Sequence, residues 1–250
     1  MNIIAVTALH YGKCFLNHAI RSIIDDVDSL IVLYSPVGSH GHRTDVPCPD
    51  TKDELYAIAS QAAGDKLRWF DGNWTHEGQQ RDSIYDIVPD ADCIVVLDAD
   101  EIHPHGFIRS AIEATKDSGI RDVRLPFVHA WRSLRHVITH DPAYPVRIIY
   151  PRNPTGTSMT FTPDPSLPIL QRSVFHAGYA QRVEIVRYKL LTHGHRPEFR
   201  RDVDWFNDIF MNPFRTSDLH PVGSDFWTWE TVDVPDFMQD HPYADLDLIE

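Results

Sequence analysis

Residues 94–102, IVVLDADEI, carry the strongest chemical signal in the chain. An apolar run, Ile94 to Leu97, leads straight into Asp98, Ala99, Asp100 and Glu101. In an extended segment, side chains alternate between faces, so Asp98 and Asp100 are expected on one side. Two carboxylates about 4 Å apart repel by roughly 4 kcal/mol at an effective dielectric of about 20. Such a pair persists when a cation, a proton or full solvation offsets the repulsion. Oxygen ligands of this kind suit Mg2+ or Mn2+. The plainer alternative is a solvated acidic turn at a strand end. What favours a site is the buried strand leading into the pair, because ligands on open α/β sheets bind beyond the carboxyl ends of the strands.

The elements that must position these acids read as alternating strands and helices. Residues 2–8 (NIIAVTA) form a buried strand by their apolar, β-branched content. Residues 12–25 place Phe15, Leu16, Ala19, Ile20, Ile23 and Ile24 at helical spacing. A second strand is expected at 28–34. A helix follows at 51–63, with Thr51 as N-cap and Glu54 completing a capping box. A short strand at 67–70, a helix at 78–87 and the strand 94–98 complete the first half. Strands separated by helices predict a parallel, doubly wound sheet. The second half has shorter strands, at 123–129, 146–150, 159–162 and 172–177, and a helix at 181–192. From about residue 205 the chain holds Trp205, Phe206, Phe210, Phe214, Phe226, Trp227, Trp229 and Phe237. That segment reads as a tail packed on the body, with an exposed partner surface as the alternative. The expected division is 1–192 for the sheet domain and 193–250 for the extension.

Composition bounds the function. With 250 residues, 42% hydrophobic and 24% charged, the chain is an ordinary globular sequence. Its net charge of −13 argues against nonspecific binding to nucleic acid or anionic membrane. An acidic protein with an anionic substrate needs a local cation, either a metal ion or a few placed arginines. Cys14, Cys48 and Cys93 are scattered, with no CxxC pair, so neither structural zinc nor a disulfide framework is expected. The opening MNIIAVTALHYGK lacks the basic-then-apolar pattern of a signal peptide, and no apolar run is long enough to span a membrane. A cytoplasmic setting is the corresponding expectation.

The acidic strand end and its surroundings resemble the GT-A glycosyltransferases, and most of all the family 2-type enzymes whose core strand ends in "lDADE". Upstream, HEGQQRDSIYDIVPDADCIVVLDADEI (76–102) is similar to the family's helix start, strand and DxD motif, with Gln80, Arg81 and Asp82 at the "qRN" position. The opening IIAVTALHYGKCFLNHAIRSI is similar to its first nucleotide-binding unit. VRIIYPR (146–152) resembles "vRLfrr", and VFHAGYAQ (174–181) resembles "H-x-gY". The resemblance covers roughly residues 2–192. It departs at LYSPVG, where the second strand ends without an acidic residue, and at Asp82, where Asn is usual.

The resemblance implies an α/β, Rossmann-like GT-A fold with a mostly parallel central sheet flanked by helices and an aromatic-rich C-terminal extension. It implies a hexosyl- or pentosyltransferase that moves a sugar from a nucleotide-diphosphate donor to an acceptor hydroxyl, with inversion, using Mn2+ or Mg2+. Asp100 would be the direct metal ligand. Asp98 would bind the ion through water or hold ribose hydroxyls, and His176 would complete the metal shell or touch the diphosphate. Arg81, at a helix start, would contact phosphate or base. Thr7, Ala8 and Tyr11 would face the nucleoside, with Tyr11 able to stack on the base. His193 and His195 rival His176. For the catalytic base, Asp141 and Asp164 stand in Pro-bounded loops, and Glu101 is a further acid facing the acceptor. The acceptor is open between a glycan, a protein, a small molecule and a modified DNA base.

Other functions fit the same residues less well. A nucleotidyltransferase or a nucleotide-sugar pyrophosphatase would also use a metal at a diphosphate. A nucleotidyltransferase, though, calls for a Gly-rich loop with lysine after the first strand, and TALHYGK has one glycine. A non-catalytic carbohydrate- or partner-binding module would have no use for the repulsion between Asp98 and Asp100.

Overall fold

In a computed structural model, the described residues are 1–138, 144–154, 158–223 and 227–248. The first half alternates as its pattern requires: β1 (Ile3–Leu9), α1 (Lys13–Ile23), β2 (Ser29–Tyr34), α2 (Lys52–Ala63), β3 (Leu67–Asp71), α3 (Glu77–Asp82), α4 (Ile84–Ile87) and β4 (Cys93–Val96). Then follow β5 (Glu101–Ile102), α5 (Phe107–Thr115), β6 (Asp122–Arg124), β7 (Phe127–Trp131), β8 (His136–Ile138), β9 (Val146–Ile149) and β10 (Ser158–Thr160). The last elements are β11 (Val174–Tyr179), α6 (Val183–Thr192), a π-helical segment Trp205–Phe210 and β12 (Trp229–Thr231).

The central sheet has seven strands in the order β10-β6-β9-β4-β1-β2-β3. It is mostly parallel: β1 pairs in parallel with β2 and β4, β2 with β3, and β10 with β6, while β9 runs antiparallel between β4 and β6. Helices cover both faces. Leu16 and Ile20 of α1, Leu55 of α2 and Ile108 and Ile112 of α5 share one core with Ala5, Val32 and Val95. Ile84 packs on the opposite face against Val6, Leu33 and Val96. The architecture is therefore mixed α/β, a mostly parallel sheet flanked by helices, as the element pattern predicted. The capping box forms as read: the Thr51 side chain accepts from Glu54 N, and Glu54 accepts from Thr51 N at 2.9 Å.

A second sheet, β12-β8-β7-β11-β5, stands beside the first. Its parallel pair β7/β11 and the antiparallel contact of β5 with β11 bring the residues after β4 against the second half of the chain. The aromatic tail is largely interior. Trp205, Phe206, Phe210 and Trp227 are buried in one cluster with Trp131, Tyr179 and Val186. Val234, Met238 and Tyr243 join another with Phe15 and Phe175. Phe214 is the exposed exception, and Phe226 lies outside the described residues. The described residues past 192 thus share their cores with the body. No helix among the described residues is long and apolar enough to cross a membrane.

Two predicted elements differ in detail. The helix expected at 78–87 is interrupted at Ser83, whose hydroxyl donates to Gln80 O at 2.7 Å. The strand expected to run to Asp98 ends at Val96, and residues 98–101 form a turn closed by Glu101 N donating to Asp98 O at 3.1 Å. Strand alternation is therefore not what brings Asp98 and Asp100 together; the turn is.

Candidate active site

The turn that carries Asp98 and Asp100 sits at the carboxyl ends of β1 and β4, with α1 starting beside it. Gly12 makes that close approach possible. A Cβ there would lie 2.8 Å from Ala99 Cβ, and its φ of 125° is one that residues with a Cβ rarely adopt. The first amides of α1 are already satisfied: Asp50 Oδ2 accepts from Gly12 N at 2.6 Å and from Lys13 N at 2.9 Å. From the other side, Ala177 N of β11 donates to Asp100 O at 2.7 Å, which fastens the turn to the second sheet.

Both aspartates open onto a cavity of about 350 Å³ that is also lined by Ala8, Tyr11, Arg81, His129, His176, Lys189 and Trp227. A second cavity of about 510 Å³ adjoins it through Ser39, Glu77, Arg81, Asp98 and His193, and has an apolar floor of Val6, Ile94, Val96 and Ile149. Together they form one cleft with Asp98 at the junction.

The acids in this cleft are paired. Arg81 Nη2 donates to Asp98 Oδ1 at 2.5 Å and also meets Glu77. Arg147, from β9, reaches Asp98 Oδ2 at 3.0 Å and holds Glu101 through both carboxylate oxygens. Burial pushes the Asp98 carboxyl up, but Arg81 and Arg147 outweigh it and hold Asp98 well below the usual carboxylate range. Lys189 of α6 is buried, with Nζ 3.3 Å from Asp100 Oδ2. Burial works against both partners' charges, yet Asp100 is lowered, chiefly by Lys189, and Lys189 is raised chiefly by Asp100. His176 Nε2 lies 3.6 Å from Asp100 Oδ1. Burial pushes His176 down to about 3 despite the pull of Asp100, so its ring is neutral at neutral pH.

Sequence-predicted residues sort as follows. Asp98, Asp100, His176, Arg81, Ala8 and Tyr11 converge on the cleft, and His193 lines both of its chambers. Thr7 is fully buried in β1 and faces neither chamber. The base role read for Glu101 and Asp164 does not fit their placement. Glu101 is wholly buried in its pair with Arg147, and Asp164 is an exposed turn former whose Oδ1 accepts from Ser166 N at 2.9 Å. Asp141 lies outside the described residues. Three residues that the sequence reading did not single out complete the site: Arg147, Lys189 and His129. Arg147 stands in the VRIIYPR segment that carried part of the resemblance, a signal that could have marked it.

A divalent ion is tested by these donors. Asp100 Oδ1 and the neutral His176 Nε2 offer one oxygen and one nitrogen, spaced as two neighbouring ligands of one ion. Both oxygens of Asp98 are engaged by arginines. Among the described residues no group of three or more His, Cys, Asp or Glu is placed to hold a metal ion, so an ion here would need its remaining ligands from substrate phosphates and water. With Glu101 ionised, Glu77, Asp98, Asp100 and Glu101 exceed Arg81, Arg147 and Lys189 by one negative charge; burial pushes Glu101 up to about 8 despite Arg147, and with Glu101 protonated the cluster is balanced.

No protein-family model matches the chain, and no curated protein does. Among solved structures, glucosyl-3-phosphoglycerate synthase from Mycobacterium tuberculosis in complex with Mn2+, uridine diphosphate and phosphoglyceric acid is similar, with 19% identity over 50% of this chain and 43% of that one and a TM-score of 0.38. The same synthase with Mg2+ and uridine diphosphate matches with 19% identity, the same coverage and a TM-score of 0.37. A 4-diphosphocytidyl-2C-methyl-D-erythritol synthase from Anaerococcus prevotii matches with 14% identity over 60% of this chain and 63% of that one, at a TM-score of 0.35. The matched region is less than half the length of the glucosyl-phosphoglycerate synthase chains.

Proposed function

We propose that this chain is a divalent-cation-dependent glycosyltransferase of the GT-A type that takes its sugar from a nucleoside-diphosphate donor. The observation that carries the reading is the arrangement of Asp100, His176 and Asp98 in one cleft at the carboxyl ends of β1 and β4, with Asp100 Oδ1 and His176 Nε2 3.6 Å apart. The nucleoside would lie against Ala8 and Tyr11. Asp100 and His176 would hold the ion. An ion held there would supply Lewis-acid stabilisation of the negative charge on a departing diphosphate.

The chain's own residues do the rest. Lys189, kept charged by Asp100, adds a positive charge beside the same carboxylate. Arg81 and Arg147 hold Asp98 ionised and fixed at the junction of the two chambers. Burial keeps His176 neutral and its ring available as a nitrogen donor. The donor sugar's transfer is to an acceptor hydroxyl, and inversion follows from the family likeness of the motifs.

Thermal unfolding with uridine and guanosine diphosphates, with and without Mn2+, tests this. A ligand at 100 times its dissociation constant stabilises by about 2.7 kcal/mol, readily seen in a melt. A shift is expected only with the ion present, and Asp100→Ala is expected to abolish it. An equal shift without metal, or one that survives Asp100→Ala, removes the assignment.

A further inference from the structure

The cleft contains a histidine pair of which the metal reading uses only His176. In the parallel pairing of β7 with β11, His129 stands directly beside His176. Their Nδ1 atoms are 2.7 Å apart, with the rings nearly perpendicular at 87°. Two imidazole nitrogens at that distance share one proton, so one ring donates and the other accepts. His129 is held from behind by the Trp227 ring, 4.9 Å away between centroids, and by Phe127.

The direction of that hydrogen bond decides what His176 offers at its other nitrogen. With the proton on His176 Nδ1, donated to His129 Nδ1, the Nε2 lone pair points toward Asp100, 3.6 Å away, and can bind a cation. With the direction reversed, the His176 proton moves to Nε2. That N–H then faces Asp100 and closes the pair against a cation. His129 must therefore accept, with its own proton on Nε2, for His176 to serve as a ligand. A partner that fixes a ligating histidine's tautomer commonly sets metal affinity.

We propose that His129 is a positioning residue which fixes His176 in the tautomer that binds the divalent ion. This rests on the metal-dependent reading above. It reaches further, because it assigns work to a residue that does not itself hold the ion.

Two measurements test it. Histidine-15N spectra of the metal-free protein, with His176→Ala to assign the signals, are expected to place the His176 proton on Nδ1. A proton on Nε2 overturns the proposal, whatever the variants do. Mn2+ titrations followed by electron paramagnetic resonance, in the presence of uridine diphosphate, then compare wild type, His129→Phe and His129→Asn. Phe keeps a ring beneath Trp227 but cannot accept, and binding should weaken on the order of 10- to 100-fold. Asn carries an amide oxygen close to the position of Nδ1 and should stay near wild type. If wild type binds Mn2+ and His129→Phe binds it equally well, this inference falls while the metal reading stands. If wild type does not bind Mn2+ at all, both fall.

Discussion

Replacing Gly178 by alanine tests how tightly the cleft is built. Gly178 lies in β11 between His176 and Tyr179, where the register with β7 shifts. A Cβ at Gly178 would run into Lys189 Nζ and lie 2.6 Å from His176 Cε1 and 2.9 Å from His176 Nε2. Its φ is not in the left-handed region, so the backbone accepts alanine and the effect is steric. Crowding a packed site costs about 1–3 kcal/mol. Removing the excess freedom of a strand glycine returns about 0.5–1 kcal/mol. The net loss of stability is therefore small, about 0–2.5 kcal/mol. The loss of binding should be larger, because the methyl group displaces His176 and Lys189 from Asp100, and disturbing the groups that orient a metal site costs on the order of 10- to 100-fold in affinity. Urea unfolding gives the first quantity. Calorimetric titration of uridine diphosphate with Mn2+ gives the second, with an expected loss on the order of 10- to 100-fold. A folded Gly178→Ala protein that binds Mn2+ and nucleotide as tightly as wild type refutes the crowding argument.

Three further outcomes follow from the same structure. His103 is buried with no hydrogen-bond partner on either ring nitrogen among the described residues, and burial, helped by Arg147, pushes it down to about 3. Its folded pKa lies below the unfolded one, so it is without effect above pH 6.5 and costs stability as the pH falls from there toward 3, by about 1.4 kcal/mol per pH unit. Urea midpoints of His103→Phe at pH 7 and 5 should show a shallower decline than wild type, and parallel declines would contradict it. Arg147→Met strips the buried Glu101 of its bidentate partner, and loss of one member of a buried pair costs about 3–5 kcal/mol; a loss below about 1 kcal/mol would show the pair to be idle. Thr51→Ala removes half of the capping box of α2 and should lower stability by about 1 kcal/mol, measurable as a lower melting temperature with unchanged nucleotide binding.

The order of strands and helices was legible because each element carries its own period. Phe15, Leu16, Ala19, Ile20 and Ile23 make one face of α1, and all are buried. Asp98 and Asp100 were legible because they follow an apolar strand directly. Their neutralising partners were not, since Arg147 is 49 residues from Asp98 and Lys189 is 89 residues from Asp100 along the chain. These meet only through the insertion of β9 beside β4 and the docking of β11 and α6. His129 was hidden for a related reason: its pairing with His176 exists only in the register of two parallel strands 47 residues apart. Local pattern also misread the geometry of the acids, because a turn at 98–101, not strand alternation, presents them to the cleft.

The repulsion between the two acids, which first pointed to a cation, is answered by the fold in two unequal ways. Asp98 is closed: each of its oxygens has a guanidinium, and Arg147 ties it to the buried Glu101. Asp100 is half open: Lys189 takes Oδ2 and balances its charge, while Oδ1 faces the His176 imidazole and stays available to a further partner. The same two-residue spacing thus yields one anion whose two oxygens are both taken and one that keeps an oxygen for a further partner. A protein cation at Oδ1 would occupy that oxygen and leave nothing for a ligand to do. The histidine there leaves the position that the proposed divalent ion, and through it a diphosphate, would take. The functional information lies in that asymmetry more than in the acidic pair itself, and it comes from the residues that surround the pair.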